Sequence, residues 1–118
     1  MAQLDVSSEM LDKVYEIVEV ARATGKLKKG SNEVTKAIER GTAKFVVVAK
    51  DVNPPEIVMH IPILCEEKKI PCVQVPSKEE LGASAGIGLP TASIAVIIEG
   101  EAKDMIKEIV SKTDKSSN

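Results

Sequence analysis

The stretch Lys44-Phe45-Val46-Val47-Val48-Ala49-Lys50 decides the fold. An unbroken run rich in β-branched residues, closed at both ends by lysine, offers no polar face to water and reads as a central strand covered on both sides. Such a strand needs helices above and below it, and the flanking sequence supplies them. Upstream, Leu11, Val14, Val18 and Ala21 recur at three- and four-residue steps, with Met10 and Ile17 widening the stripe. They predict a helix capped at Ser7 or Ser8, with Glu9 and Asp12 in its first turn and Gly25 at its end. Lys26 to Lys29 is a short basic connector or an edge strand whose lysines deter pairing with another chain. Val34, Ala37 and Ile38 predict a second helix from about Asn32 to Arg40, entered through Gly30-Ser31 and left at Gly41. Asn32, Glu33, Lys36 and Arg40 then point to solvent.

Downstream, Asp51-Val52-Asn53-Pro54-Pro55 is a turn opening a third helix, with Asn53 or Asp51 as its cap. That helix runs to about Lys69, and Pro62 inside it predicts a kink or local break because it removes a backbone donor. Cys72 to Val75 reads as a short strand, Lys78 to Ala85 as a short helix, and Ser93 to Ile98 as a last core strand. Met105, Ile106, Ile109 and Val110 mark a final amphipathic helix over Glu101 to Ser111, followed by a polar tail, 113–118, expected to fray. Helices alternating with strands predict an α/β fold with helices on both faces of a mixed sheet of about four strands. At 118 residues, the chain is expected to form one domain, 1–118, around one core.

Hydrophobic residues are 43% and charged residues 29% of the chain, the balance of a globular protein in water. No apolar run reaches the roughly 18 residues of a membrane span, and Met-Ala-Gln-Leu-Asp does not open a secretory signal, so a cytoplasmic protein without a membrane partner is expected. Cys65 and Cys72 stand seven apart, which fits neither a redox pair nor a zinc pattern; buried, reduced thiols are expected. The single histidine, His60, shares a helix with Met59, Ile61 and Ile63 and reads as a partly buried, hydrogen-bonded residue rather than a catalyst. The glycines Gly82, Gly86 and Gly88 follow a helix and precede a strand, the reverse of a phosphate-binding loop. Asp51, at the end of a buried strand, invites comparison with a phospho-accepting receiver, but no acidic pair at an earlier strand end could hold magnesium. Neither an enzyme nor a bound cofactor or metal is therefore expected.

Net charge is −2, yet the segment from Lys26 to Lys44 carries six cations against Glu33 and Glu39, a local +4 that leaves −6 for the rest. That asymmetry can make a basic face that attracts phosphates, or an ordinary solvated surface. Tyr15 and Phe45, the only aromatics, fall in apolar-periodic segments, which excludes a base-stacking platform. The polar signal lies in Gly30-Ser31-Asn32-Glu33-Val34-Thr35-Lys36. A helix start presents N–H groups without intrahelical partners, which attract phosphate or electron-rich base edges. Asn32 both donates and accepts, ionised Glu33 only accepts and so suits the N–H groups of guanine, and Lys36 brings an ammonium one turn on. The plainer reading is a capped surface helix. In Ala85-Gly86-Ile87-Gly88-Leu89-Pro90, two aliphatic side chains stand between glycines and proline, either exposed to cover a base or a partner, or tucked under the loop.

The stretches Lys28 to Lys36, Asp51-Val52-Asn53-Pro54-Pro55-Glu56-Ile57, His60-Ile61-Pro62-Ile63-Leu64-Cys65-Glu66 and Gly86 to Pro90 make the chain from about residue 10 to residue 110 resemble the archaeal and eukaryotic kink-turn RNA-binding family. That family includes an archaeal large-subunit ribosomal protein and the core protein of box C/D small RNA particles. The resemblance implies a three-layer α/β/α sandwich and a role in recognising tandem sheared G·A pairs in rRNA or box C/D guide RNA, alongside other ribonucleoprotein core proteins. It also extends to ribonuclease P. It implies that Gly30, Asn32, Glu33 and Lys36, with Ser31 between them, hold the guanines, and that Lys29 and Arg40 contact the backbone nearby. Ile57 and Lys78 fall near the looped-out nucleotide, and Ile87, Gly88 and Leu89 cover the bulge. An aliphatic residue at Leu89 resembles archaeal members; Gly88 departs from them, since an acidic residue is usual there. A monomer is expected in the free state. A protein–protein adaptor, docking through the Ile87 loop and the acidic helices, is the alternative reading.

Overall fold

The structure, a computed structural model, describes residues 3–4 and 8–117, with side-chain surroundings from residue 10 to residue 111. In chain order its elements are β1 (Gln3–Leu4), α1 (Ser8–Thr24), β2 (Lys26–Lys29), α2 (Ser31–Glu39), β3 (Phe45–Ala49), α3 (Glu56–Lys68), β4 (Cys72–Val75), α4 (Lys78–Ser84), β5 (Ser93–Ile98) and α5 (Lys103–Ser117), the last preceded by a 3-10 turn, Gly100–Ala102. The sheet order is β1-β4-β3-β5-β2. β1, β4, β3 and β2 run one way and β5 runs against both of its neighbours. Helices α2 and α3 pack together on one face; α1, with α4 and α5 against it, covers the other. This is the mixed-sheet α/β architecture expected.

The hydrophobic run fills the middle. All five residues of β3 are buried, Val47 lies level with Val73 of β4 and Ile94 of β5, and each is fully buried. The α1 stripe of Val14, Ile17, Val18 and Ala21 and the α2 stripe of Val34, Ala37 and Ile38 close the core from opposite faces. Tyr15 is half-buried beside it; burial, and then the charge of Glu80, push its phenol up to about 12, so it stays neutral. Cys65 and Cys72 are buried free thiols, and the Cys65 thiol bonded beside Cys72, together with burial, holds the Cys72 thiol well above its ordinary value.

Several local expectations need correction. Gly25 ends α1, but no left-handed turn explains the glycine: a Cβ there would come 1.9 Å from the Ile98 carbonyl oxygen, so only glycine lets β2 leave α1 against β5. The left-handed glycine cap belongs to Gly41, whose N–H reaches the Ile38 carbonyl while Thr42 reaches that of Ala37, both at 3.0 Å. Asp51 does not cap α3; its Oδ1 accepts from the Lys78 N–H at 2.8 Å in the first turn of α4, whose own N-cap is Ser77, while Pro55 precedes α3 without a side-chain cap. α3 runs through Pro62 without a break. α5 continues to Ser117, since neither glycine nor proline follows Ser111 to stop it. Ser7, one of the two caps expected for α1, lies outside the described residues.

The direction of β5 follows from α4. Only seven residues long, α4 descends from the end of β4, and the following segment climbs back beside it: the Leu89 carbonyl oxygen would lie 1.9 Å from a Cβ at Gly82, and Thr91 N–H donates to the Lys78 carbonyl at 3.1 Å. β5 therefore starts where β3 and β4 end and runs antiparallel to them.

Candidate functional site

The carboxyl ends of the parallel strands bring together Lys29, the tip of α2 and the starts of α3 and α4. Lys29 ends β2 level with Ile94, and Gly30 N–H donates to the Ser93 carbonyl at 3.2 Å, which ties the start of α2 to the start of β5. Ala49 N–H reaches the Ala92 carbonyl at 2.9 Å, which brings the end of β3 to the same place. α2, α3 and α4 all begin at this end of the sheet, where ligands of α/β folds characteristically bind.

The tip of α2 is open. Gly30 occupies the N-cap with φ 90° and ψ 149°, and no side chain caps the helix. Val34 N–H is the first to find an intrahelical acceptor, the Gly30 carbonyl at 2.9 Å, so the N–H groups of Ser31, Asn32 and Glu33 have no partner among the described residues. Asn32, Glu33, Lys36 and Arg40 are all exposed, as expected, and their spacing puts Asn32, Lys36 and Arg40 in one row with Glu33 beside it. Lys29 is exposed and Ser31 half-buried. Among the described residues, no carboxylate pairs with Lys29, Lys36 or Arg40. The tip thus combines free backbone donors, an acceptor-only carboxylate and the unneutralised cations Lys29 and Lys36, while Arg40, at the C-cap of α2, stands at the far end of the same row.

The remaining candidates divide. Ile57 stands in the first turn of α3, 43% exposed. Lys78 is half-buried, and its backbone N–H is already taken by Asp51, leaving the side chain as its only free group. Gly88 is exposed at φ 78°. Ile87 and Leu89 do not act as a pair: Ile87 packs partly into the core, while Leu89 is 67% exposed. Leu89→Ser should leave the melting temperature within about 1–2 °C of the parent, whereas Ile87→Ser should lower stability by roughly 1–2 kcal/mol for the half-burial it loses. Differential scanning calorimetry separates them; equal losses would make the loop a single packed unit.

A family model described as the ribosomal protein L7Ae/L30e/S12e/Gadd45 family matches residues 12–106. The chain belongs to this family. Among solved structures it is similar to the Giardia lamblia 15.5kD RNA binding protein, with a TM-score of 0.88 and 31% identity over 93% of this chain and 92% of that one. No helix among the described residues is long and apolar enough to cross a membrane.

Within this L7Ae-type fold, three features of the site escaped the sequence reading. His60 is exposed rather than partly buried, because α3 buries Val58, Ile61, Pro62 and Cys65 and turns residues 59, 60 and 63 outward. Its Nε2 lies 2.8 Å from Thr35 Oγ1 on α2. Arg22, on α1, lays its guanidinium across Gly86: a Cβ there would come 2.7 Å from Arg22 Cδ, which adds a cation beside the 86–90 loop. Contacts between residues 25 and 64 positions apart carry no periodic signal in the chain.

Proposed function

We propose that this chain binds kink-turn RNA, holding tandem sheared G·A pairs at the tip of α2. One observation carries the reading: three backbone N–H groups without a partner among the described residues, with Asn32, Glu33 and Lys36 exposed around them and no described carboxylate neutralising the cations. Family membership and the likeness to an RNA binding protein from Giardia lamblia support it. Regular A-form RNA hides its base edges in a deep, narrow groove; sheared G·A pairs open that groove to a helix end. Gly30, Ser31, Asn32, Glu33 and Lys36 would meet the guanines, with Glu33 accepting from their N–H groups and the backbone and Asn32 supplying donors. Lys29 and Arg40 face phosphates, Ile57 and Lys78 the looped-out nucleotide, and the Ile87-Gly88-Leu89 loop the bulge.

The mechanism is population shift. The RNA samples extended and bent forms, and a surface that fits only the bent form favours it by the difference in affinity. The body outside the Lys26 to Lys44 segment carries −6, which repels phosphates and discourages coating by unrelated RNA. No catalytic step is part of this reading. Structural roles in the ribosome, in box C/D modification particles beside other core proteins, and in ribonuclease P all fit such a module, as does an archaeal, cytoplasmic protein that is monomeric when free. A gel shift comparing a short kink-turn RNA with the same RNA carrying Watson–Crick pairs in place of G·A tests it. At least tenfold tighter binding of the first is expected; equal binding of both would remove the reading.

One observation favours the adaptor reading in second place. Met59 and Ile63 are 60% and 63% exposed on α3 and border a groove with Pro62, Val48 and Gln74. Two large aliphatic residues side by side on an outer helix face suit contact with another protein.

A further inference from the structure

The open tip of α2 poses a physical problem. A capping side chain normally both satisfies the first N–H groups and holds the first turn in place. Here Gly30 offers none, and the N–H groups of Ser31, Asn32 and Glu33 have no partner among the described residues. Such a turn is prone to fray, and a frayed turn would not present donors in a fixed array.

The first turn is instead held from its carbonyl side. Thr35 Oγ1 lies 2.7 Å from the Ser31 carbonyl oxygen, which can only accept, so the single hydroxyl hydrogen of Thr35 points there. The same Oγ1 lies 2.8 Å from His60 Nε2 and, its hydrogen being committed, must accept from it. His60 therefore carries a proton on Nε2. The bonds form a chain from α3 to α2 to the backbone of the first turn: His60 Nε2–H to Thr35 Oγ1–H to Ser31 C=O. Accepting from His60 also strengthens the hydroxyl as a donor. A threonine bonding back one turn is common in helices, and alone it would mean little. Here it is anchored by a second helix packed against the first.

We infer that His60 is a positioning residue for the α2 tip, fastening it through Thr35 so that its N–H groups stay ordered yet unoccupied. The inference rests on the RNA reading above and deepens it: the cap is moved to the carbonyl side because the donor side is reserved for the ligand. His60 need not touch RNA to matter for binding.

The test uses His60→Ala, His60→Gln, Thr35→Val, Thr35→Ser and the double variant His60→Ala with Thr35→Val, all in the full chain. Amide hydrogen exchange is read in the free protein, and the dissociation constant is measured for a kink-turn RNA and for its G·A-disrupted form. His60→Ala and Thr35→Val should each speed exchange at Val34 and Thr35 about five- to tenfold, the loss of one hydrogen bond, without changing exchange in β3. Each should weaken kink-turn binding by a similar factor. Glutamine, whose amide nitrogen reaches the place of the His Nε2, and serine, which keeps the hydroxyl, should restore both readouts. The double variant should be no weaker than either single one, because the bonds act in series. Unchanged exchange at Val34 in His60→Ala, unchanged RNA affinity despite faster exchange, failure of glutamine to rescue, or additive losses would each overturn the inference. If the parent protein does not distinguish the two RNAs, the RNA reading falls instead, while exchange in the free protein still decides whether the chain of bonds holds the turn.

Discussion

Glu33→Ala is expected to weaken binding of a kink-turn RNA by about 1–3 kcal/mol, the discrimination carried by a good bidentate base contact. Glu33 is exposed in the first turn of α2 and pairs with no cation among the described residues, so its removal breaks no contact in the free protein. It gives up only the attraction between a carboxylate and the helix N-terminus, about 0.3–1 kcal/mol at an exposed position. In the complex the loss is larger, since the guanine N–H groups it would accept from are left unpaired and shut away from water. Charge works in the opposite sense: deleting a carboxylate from a surface that meets phosphates raises affinity for any RNA. The two effects separate by substrate. Kink-turn affinity should fall, while affinity for the G·A-disrupted RNA should hold or rise. A rise for both would show Glu33 acting only as a surface charge.

Gly30→Ala carries the second large effect. At φ 90° and ψ 149°, Gly30 occupies backbone space that residues with a side chain rarely enter. Open space surrounds it, with nothing within 4 Å of an added Cβ, so the penalty is strain alone. Gly25 and Gly82 contrast with it, since there a Cβ would strike a carbonyl oxygen. Strain of this kind costs about 1–3 kcal/mol and can be met in two ways. Either the fold absorbs it and the melting temperature falls by several degrees, or the bond from Gly30 N–H to Ser93 breaks and α2 starts elsewhere. The second route swings Asn32 and Glu33 out of register, so RNA affinity falls along with stability. Thermal unfolding and RNA titration of one variant read both. An alanine variant unchanged in either would mean that the conformation at Gly30 is not needed for fold or binding.

The core was legible because its signals are local and periodic. Phe45–Ala49 has only apolar side chains, and Val34, Ala37 and Ile38 repeat at helical spacing, so β3 and α2 follow from neighbours in the chain. β1 did not: Gln3 and Leu4 carry no period, and pairing with Cys72 and Val73 makes them a strand. Asp51 was misassigned because the chain shows which helix start lies next in sequence, whereas its carboxylate meets the first turn of α4, the helix after that. The same limit governed the site. The polar row on α2 could be read directly, since three- and four-residue spacing fixes which side chains share a helix face. Where Lys78 and the 86–90 loop lie depends on how β5 pairs and how α4 doubles back, neither of which a linear pattern carries. α3 misled for a different reason. Its mean composition is apolar, but much of that apolar surface faces outward, so His60 sits in the open among Met59 and Ile63.

The central claim is that an open helix tip favours the bent form of an RNA that otherwise samples several shapes. Fluorescence energy transfer between dyes on the two arms of a kink-turn duplex, at low magnesium where the extended form prevails, measures this directly as the protein is added. Saturable growth of the high-transfer population is expected, absent when the G·A pairs are replaced. Binding that leaves the transfer efficiency unchanged, or that raises it equally for both RNAs, would contradict the account.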